Sequence, residues 1–142
     1  MNPRPLLHLE GAGILALSLF AYHWNHGSWT LFALLFLVPD LGMAGYLANA
    51  RVGAYAYNAL HTYAGPLLLA LYSLGTNHPA ILPLSIIWIA HIGFDRMLGY
   101  GLKYPTRFQD THLNPDRHAL DAGHPRQPAH WLLPDQVVAK TK

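Results

Sequence analysis

Four apolar stretches, near residues 5–24, 29–48, 55–75 and 80–100, leave this chain few ways to fold. Each has the length of about 20 residues that a helix needs to cross the hydrocarbon of a bilayer. The breaks between them, "WNHGS", "NARVG" and "GTNHP", are short and pair polar groups with a glycine or proline that ends a helix. Connections this short turn successive helices back on one another. The expectation is an all-α fold: an integral membrane bundle of four antiparallel transmembrane helices over residues 1–104. Residues 105–142 are expected to form an irregular cytoplasmic tail, since Pro105, Pro115, Pro125, Pro128 and Pro134 interrupt any long helix there.

Charge supports the same division. Only 11% of the chain is charged, against roughly 25% in a soluble domain. Up to residue 100 the charged residues are Arg4, Glu10, Asp40, Arg51, Asp95 and Arg96 alone. The positive groups lie before the first stretch, between the second and third, and at or after the end of the fourth; the other two connections have none. The positive-inside rule then predicts a multi-pass protein of the cell inner membrane with both termini cytoplasmic. The expected partner is the lipid bilayer, with homo-oligomers as a further option. The net charge of +2 rests on few groups and indicates no nucleic acid. The absence of cysteine excludes disulfides, thiolate metal sites and a cysteine nucleophile.

The polar residues inside the apolar stretches fall at similar depths. At about 1.5 Å of rise per residue, Glu10, Asn58, His61 and Asp95 lie roughly 5–9 Å from the cytoplasmic ends of their helices, and Asp40 and His91 roughly 12 Å. Every helix thus places a polar group in one slab. His91 and Asp95 are four residues apart and share a face, and Trp88 joins that stripe. Tyr57 and Asn58 stand four and three residues before His61. Pro39 and Pro66 each remove a backbone hydrogen bond inside an apolar stretch. Ionisable groups in such positions are costly, face inward and mark function. Gly42, Gly45 and Ala48 are expected to let helices approach closely. Arg96 is expected to pair with Glu10.

Imidazole and carboxylate together suit a divalent metal such as zinc or iron. The candidate metal ligands are Glu10, His61, His91 and Asp95, with Asp40 competing with Glu10 for the fourth place. The candidate catalytic residues are Asp40, His91 and Asp95. Asn58, Tyr57, Trp88 and Arg96 are expected to support them. The second reading is proton or ion handling by an oligomer. The third is a structural or partner-binding membrane protein whose polar residues hold the helices together.

"LEG" at 9–11, "LVPDLGMAGYL" at 37–47, "YNALHTYAGP" at 57–66 and "IWIAHIGFDRMLGYGLKYPTRFQDTHL" at 87–113 together resemble a bacterial membrane family, the domain of unknown function 4260 family. The resemblance spans about residues 6–113 and implies a small four-helix membrane protein. It brings in Lys103 and His112 and attaches no reaction to them.

The charge pattern makes a direct prediction about orientation. Cysteine placed at Gly27 should react with an impermeant thiol reagent on intact cells, and cysteine placed at Arg51 should not. Labelling at 51 but not at 27 reverses the orientation.

Overall fold

The structure, a computed structural model, describes residues 4–105, 111 and 113. Among the described residues there are helices and no strands; Lys103 and Thr111 form an isolated bridge. Most of the tail expected over 105–142 lies outside the described residues, as does His112.

Helix α1 runs from Arg4 to Trp24 and turns through residues 25–28 into α2, Trp29–Leu35. The turn is held by Tyr22, whose hydroxyl donates to the carbonyl of Ser28 at 2.7 Å. Ser28 caps α2, its hydroxyl accepting from the amide of Leu31. After two further residues the chain enters a 3-10 helix, Val38–Leu47. Asn49 caps α3, Ala50–Leu60, by accepting from the amide of Val52 at 2.9 Å. A break at residues 61–63 leads into α4, Ala64–Gly75. A short 3-10 turn, Pro79–Ile81, precedes α5, Leu82–Leu98. Gly99 ends α5 with a φ of 88°, the left-handed conformation that glycine adopts without strain.

Two of the apolar stretches are therefore not single α-helices. The second changes to a 3-10 helix at Pro39, which has no amide proton to give the carbonyl near Leu35. Ten residues are long for a 3-10 helix, and the sequence shows why this one persists. A 3-10 helix has three residues per turn, so positions three apart stack on one face. Pro39, Gly42 and Gly45 form the face turned to α3, Asp40, Met43 and Tyr46 a partly buried edge, and Leu41, Ala44 and Leu47 an exposed face. An α-helix would smear these three rows around its surface. A methyl group on Gly42 would stand 3.0 Å from the carbonyl oxygen of Ala56, and one on Gly45 would stand 3.1 Å from the Cα of Gly53. The close approach expected of Gly42 and Gly45 is present; Ala48 is exposed.

The third stretch, expected as one span over 55–75, is two helices with a break at His61. Three helical stretches, Arg4–Trp24, Trp29–Leu47 and Pro79–Leu98, are long and apolar enough to cross a membrane. The pair α3 and α4 does not provide a continuous helix of that length.

Helix α1 packs along α5 through small residues. Side-chain atoms on Gly11 would collide with the backbone of Met97 and Arg96, and on Gly93 with the amide of Leu15. His8 Nδ1 bonds the carbonyl of Met97 at 2.7 Å and secures the same contact. Tyr22, Ile86 and Ile87 form the apolar core, with Phe32 and Phe36 packed on them. Much of the remaining interior is polar: Ser18, His61, Ser73, Ser85, His91, Asp95 and Lys103 are buried. The outside carries Leu9, Leu17, Leu34, Leu41, Leu68 and Leu71, all well exposed.

Candidate metal centre

The break after α3 positions the first donor. His61 caps α3, its amide donating to the carbonyl of Tyr57 at 2.9 Å. Its ring lies flat on the Tyr57 ring, with centroids 3.7 Å apart and planes 12° apart. His61 Nδ1 is also 2.9 Å from the carbonyl oxygen of Tyr57. A carbonyl oxygen only accepts, so Nδ1 carries the proton in the neutral ring and Nε2 keeps a lone pair. That lone pair faces His91, Asp40 and Asp95.

The other donors come from the two neighbouring segments. His91 and Asp95 lie one turn apart on α5, and Asp40 lies on the partly buried edge of the 3-10 helix. His61 Nε2 is 3.1 Å from His91 Nε2, 3.4 Å from Asp40 Oδ1 and 3.4 Å from Asp95 Oδ2. His91 Nε2 is 3.6 Å from Asp40 Oδ1 and 3.9 Å from Asp95 Oδ2. All four donor atoms lie within 4.8 Å of one another. A tetrahedral ion with bonds of about 2.0–2.1 Å has ligand atoms about 3.3–3.4 Å apart, and the separations from the two histidine nitrogens, 3.1–3.9 Å, lie around that value. This buried Asp/His/His/Asp group can hold a metal ion.

Burial is uneven. The histidine side chains are 1% exposed and that of Asp95 is 11% exposed, whereas Asp40 is 32% exposed. The cluster is therefore open on the Asp40 side. His91 differs from His61 in one respect: its Nδ1 is buried and has no hydrogen-bond partner among the described residues. The ring of His91 instead meets Phe36 edge-on at 5.4 Å.

The supporting residues act on the cluster or on the backbone around it. The Tyr57 hydroxyl donates to Asp95 Oδ2 at 3.0 Å, fixing that carboxylate. Trp88 donates from Nε1 to the carbonyl of Leu60 at 2.6 Å. Arg96 donates from Nη2 to the carbonyl of His61 at 3.1 Å and from Nη1 to that of Tyr100 at 2.8 Å. The carbonyls exposed by the break in the third stretch are thus satisfied by two side chains of α5. Ser85 donates to the carbonyl of Pro66, in the first turn of α4, at 2.6 Å; a lone serine in an apolar run gives no signal of that contact.

Asn58 binds the segment after α5 twice: its amide group donates to the carbonyl of Lys103 at 2.8 Å and its oxygen accepts from the Lys103 amide at 2.7 Å. This lays the Lys103 side chain beside the cluster, with Nζ 4.8 Å from the centre of the Tyr57 ring and 5.9 Å from that of Tyr46. Burial pushes the Lys103 ammonium below the usual lysine range, and the negative charges of Asp95 and Asp40 pull it part of the way back. Tyr46, on the same 3-10 edge as Asp40, is a neighbour that spacing alone did not reveal.

Glu10 stands elsewhere. It is exposed on α1, where it lines a cavity of about 560 Å³ with Leu7, Tyr63 and Arg96. Of the two carboxylates competing for the fourth donor position, Asp40 occupies it. No ion pair joins Glu10 to Arg96 among the described residues; the guanidinium is turned to the backbone carbonyls instead. Depth along a helix gives no rotation about its axis, which is why Glu10 matched in depth and yet lies outside the cluster.

Fold and cluster together define an all-helical protein with helices able to cross a membrane and a buried group of two histidines and two aspartates. The chain belongs to the family described as Domain of unknown function (DUF4260), which it matches over residues 4–115. No curated protein and no solved structure shows a significant match.

The shared task of Trp88 and Arg96 yields a measurable coupling. Trp88→Phe leaves the Leu60 carbonyl without its partner and should cost about 1–3 kcal/mol. In a double-mutant cycle on unfolding in detergent, Trp88→Phe and Arg96→Ala should couple by about 0.5–3 kcal/mol, whereas Glu10→Gln should add independently to Arg96→Ala. Coupling of Arg96 to Glu10 and none to Trp88 would contradict the arrangement.

Proposed function

We propose that this protein is a multi-pass membrane metalloprotein that holds one divalent cation between Asp40 Oδ1, His61 Nε2, His91 Nε2 and Asp95 Oδ2. The observation that carries this reading is the contact of His61 Nδ1 with the Tyr57 carbonyl, which assigns the ring's tautomer. Its Nδ1 proton is committed to the Tyr57 carbonyl, so its Nε2 lone pair faces two carboxylate oxygens and a second imidazole. Metal-binding histidines are oriented by this kind of bond at the other ring nitrogen. Electrostatics supports the same conclusion. Two carboxylates crowded together in a low-dielectric setting repel each other, and a dication cancels their charge. Zinc and iron both accept this mixed nitrogen and oxygen set.

The membrane setting rests on the three apolar helical stretches, the exposed leucines and the polar interior. In this reading the helices lie antiparallel in the inner membrane, both termini are cytoplasmic, and residues 1–104 form the transmembrane unit. The broken third stretch belongs here as well, because interrupted helices are tolerated at membrane depth where protein satisfies the freed backbone. Trp88 and Arg96 meet that requirement. The partly exposed Asp40 gives the centre an open side, which suits a site that meets substrate better than a closed structural ion. A divalent ion there would supply Lewis acidity to a polar group brought against it.

One observation favours a second reading, proton or ion handling by an oligomer. His61 Nε2 and His91 Nε2 are at hydrogen-bond distance, and among the described residues nothing bonded to His91 Nδ1 fixes the tautomer of that ring. Proton exchange between the two rings needs such freedom.

Metal analysis separates these readings. Protein purified without chelator and then loaded should carry one zinc or iron per chain. His61→Ala and Asp95→Ala should lose it, and Glu10→Ala should keep it. Tyr57→Phe removes an orienting hydroxyl and should weaken binding by about 10–100-fold. A wild-type chain that takes up no divalent metal, yet carries protons across liposome membranes, would establish the second reading instead.

A further inference from the structure

A partly open cavity of about 250 Å³ lies among the 3-10 helix, α3, α4 and α5. Its walls are apolar and include Pro39, Leu60, Leu69, Leu84, Ile87 and Trp88. Three of these positions are tied to the donors by the chain itself. Pro39 directly precedes Asp40, Leu60 directly precedes His61, and Ile87 lies one turn before His91 on α5. Leu84, Ile87, His91 and Asp95 recur at helical spacing, so one stripe of α5 passes from the cavity wall to the donors. The cavity thus lies one turn of α5 from the cluster, with Ile87 in its wall and His91 among the donors.

We propose that this cavity receives the hydrocarbon chain of a lipid-like substrate, with the polar end of that molecule at the metal. The proposal rests on the metal reading given above and names the substrate class of that site. Three considerations select a hydrocarbon chain. The walls offer little to a polar ligand; the indole N–H of Trp88 is committed to the Leu60 carbonyl. At roughly 30 Å³ for each water-sized group, the cavity has the volume of about eight such groups. It also lies among segments with the composition of membrane helices, where acyl chains are the neighbouring molecules. A nonpolar pocket with a few polar groups converging at one end is the usual form of a site for an amphiphilic small molecule.

Alkyl hydroxamates test this, because their head group chelates metals and their chain length can be varied. The full chain in detergent is loaded with Co²⁺, whose visible spectrum reports ligand exchange, and titrated with acetohydroxamate and octanohydroxamate. Octanohydroxamate should bind about tenfold tighter or more, from burial of its methylenes in the cavity. Leu84→Trp, and separately Leu69→Trp on α4, fill the cavity and should remove that advantage while leaving acetohydroxamate binding unchanged. The unchanged short ligand shows that a variant is folded and loaded, and micelle partitioning is common to all the proteins. An equal chain-length preference in wild type and both tryptophan variants overturns the proposal, because the preference then comes from the detergent. Cobalt that binds but responds to neither hydroxamate also overturns it and leaves the metal reading standing. A chain that binds no cobalt overturns both.

Discussion

The hydrogen bond from His61 Nδ1 to the Tyr57 carbonyl places an imidazole where a helix gives out, and the site depends on it. Helix α3 stops at Leu60, so the ring can lie flat on Tyr57 with Nε2 toward α5. The same interruption frees carbonyl groups that a hydrocarbon surrounding would not satisfy. Trp88 and Arg96 take two of them, and both belong to the helix that carries His91 and Asp95. The bonds that make the break tolerable therefore also hold α5 in register with His61. Donor geometry and backbone satisfaction are one problem with one solution.

Helix α1 contributes no donor, and its role is mechanical. Gly11 and Gly93 let its backbone press on α5, and His8 ties its start to the carbonyl of Met97. On the other side, the 3-10 helix presents Asp40 because its three-residue period puts small residues in one row and Asp40 in the next. An α-helix through Pro39 would lose a backbone bond and carry Gly42 and Gly45 away from α3. Local backbone form, close packing and donor placement thus agree.

Much of this was legible before any coordinates. The apolar stretches and their turns mark the helices, and the i,i+4 spacing of His91 and Asp95 puts them on one face. Depth counting puts Asp40 level with His91 and places His61 in the same slab. Other features were not legible for definable reasons. Rotation about a helix axis does not follow from depth, so Glu10 and Asp40 could not be separated. The end of α3 at His61 depends on Trp88 and Arg96 about 30 residues later, which no local pattern encodes. The ten-residue 3-10 helix was visible in principle, because Pro39, Gly42 and Gly45 recur every third residue, but apolar runs are read against the α-helical period.

X-ray absorption on protein loaded with one zinc ion per chain examines the central claim most directly. The account predicts four nitrogen and oxygen neighbours at about 2.0–2.1 Å, with the outer-shell scattering of two imidazole rings. That signal should disappear in His61→Ala and in His91→Ala, which do not retain the ion. A shell of oxygen atoms alone, or two-imidazole scattering that survives both substitutions, would place the ion elsewhere and contradict the account.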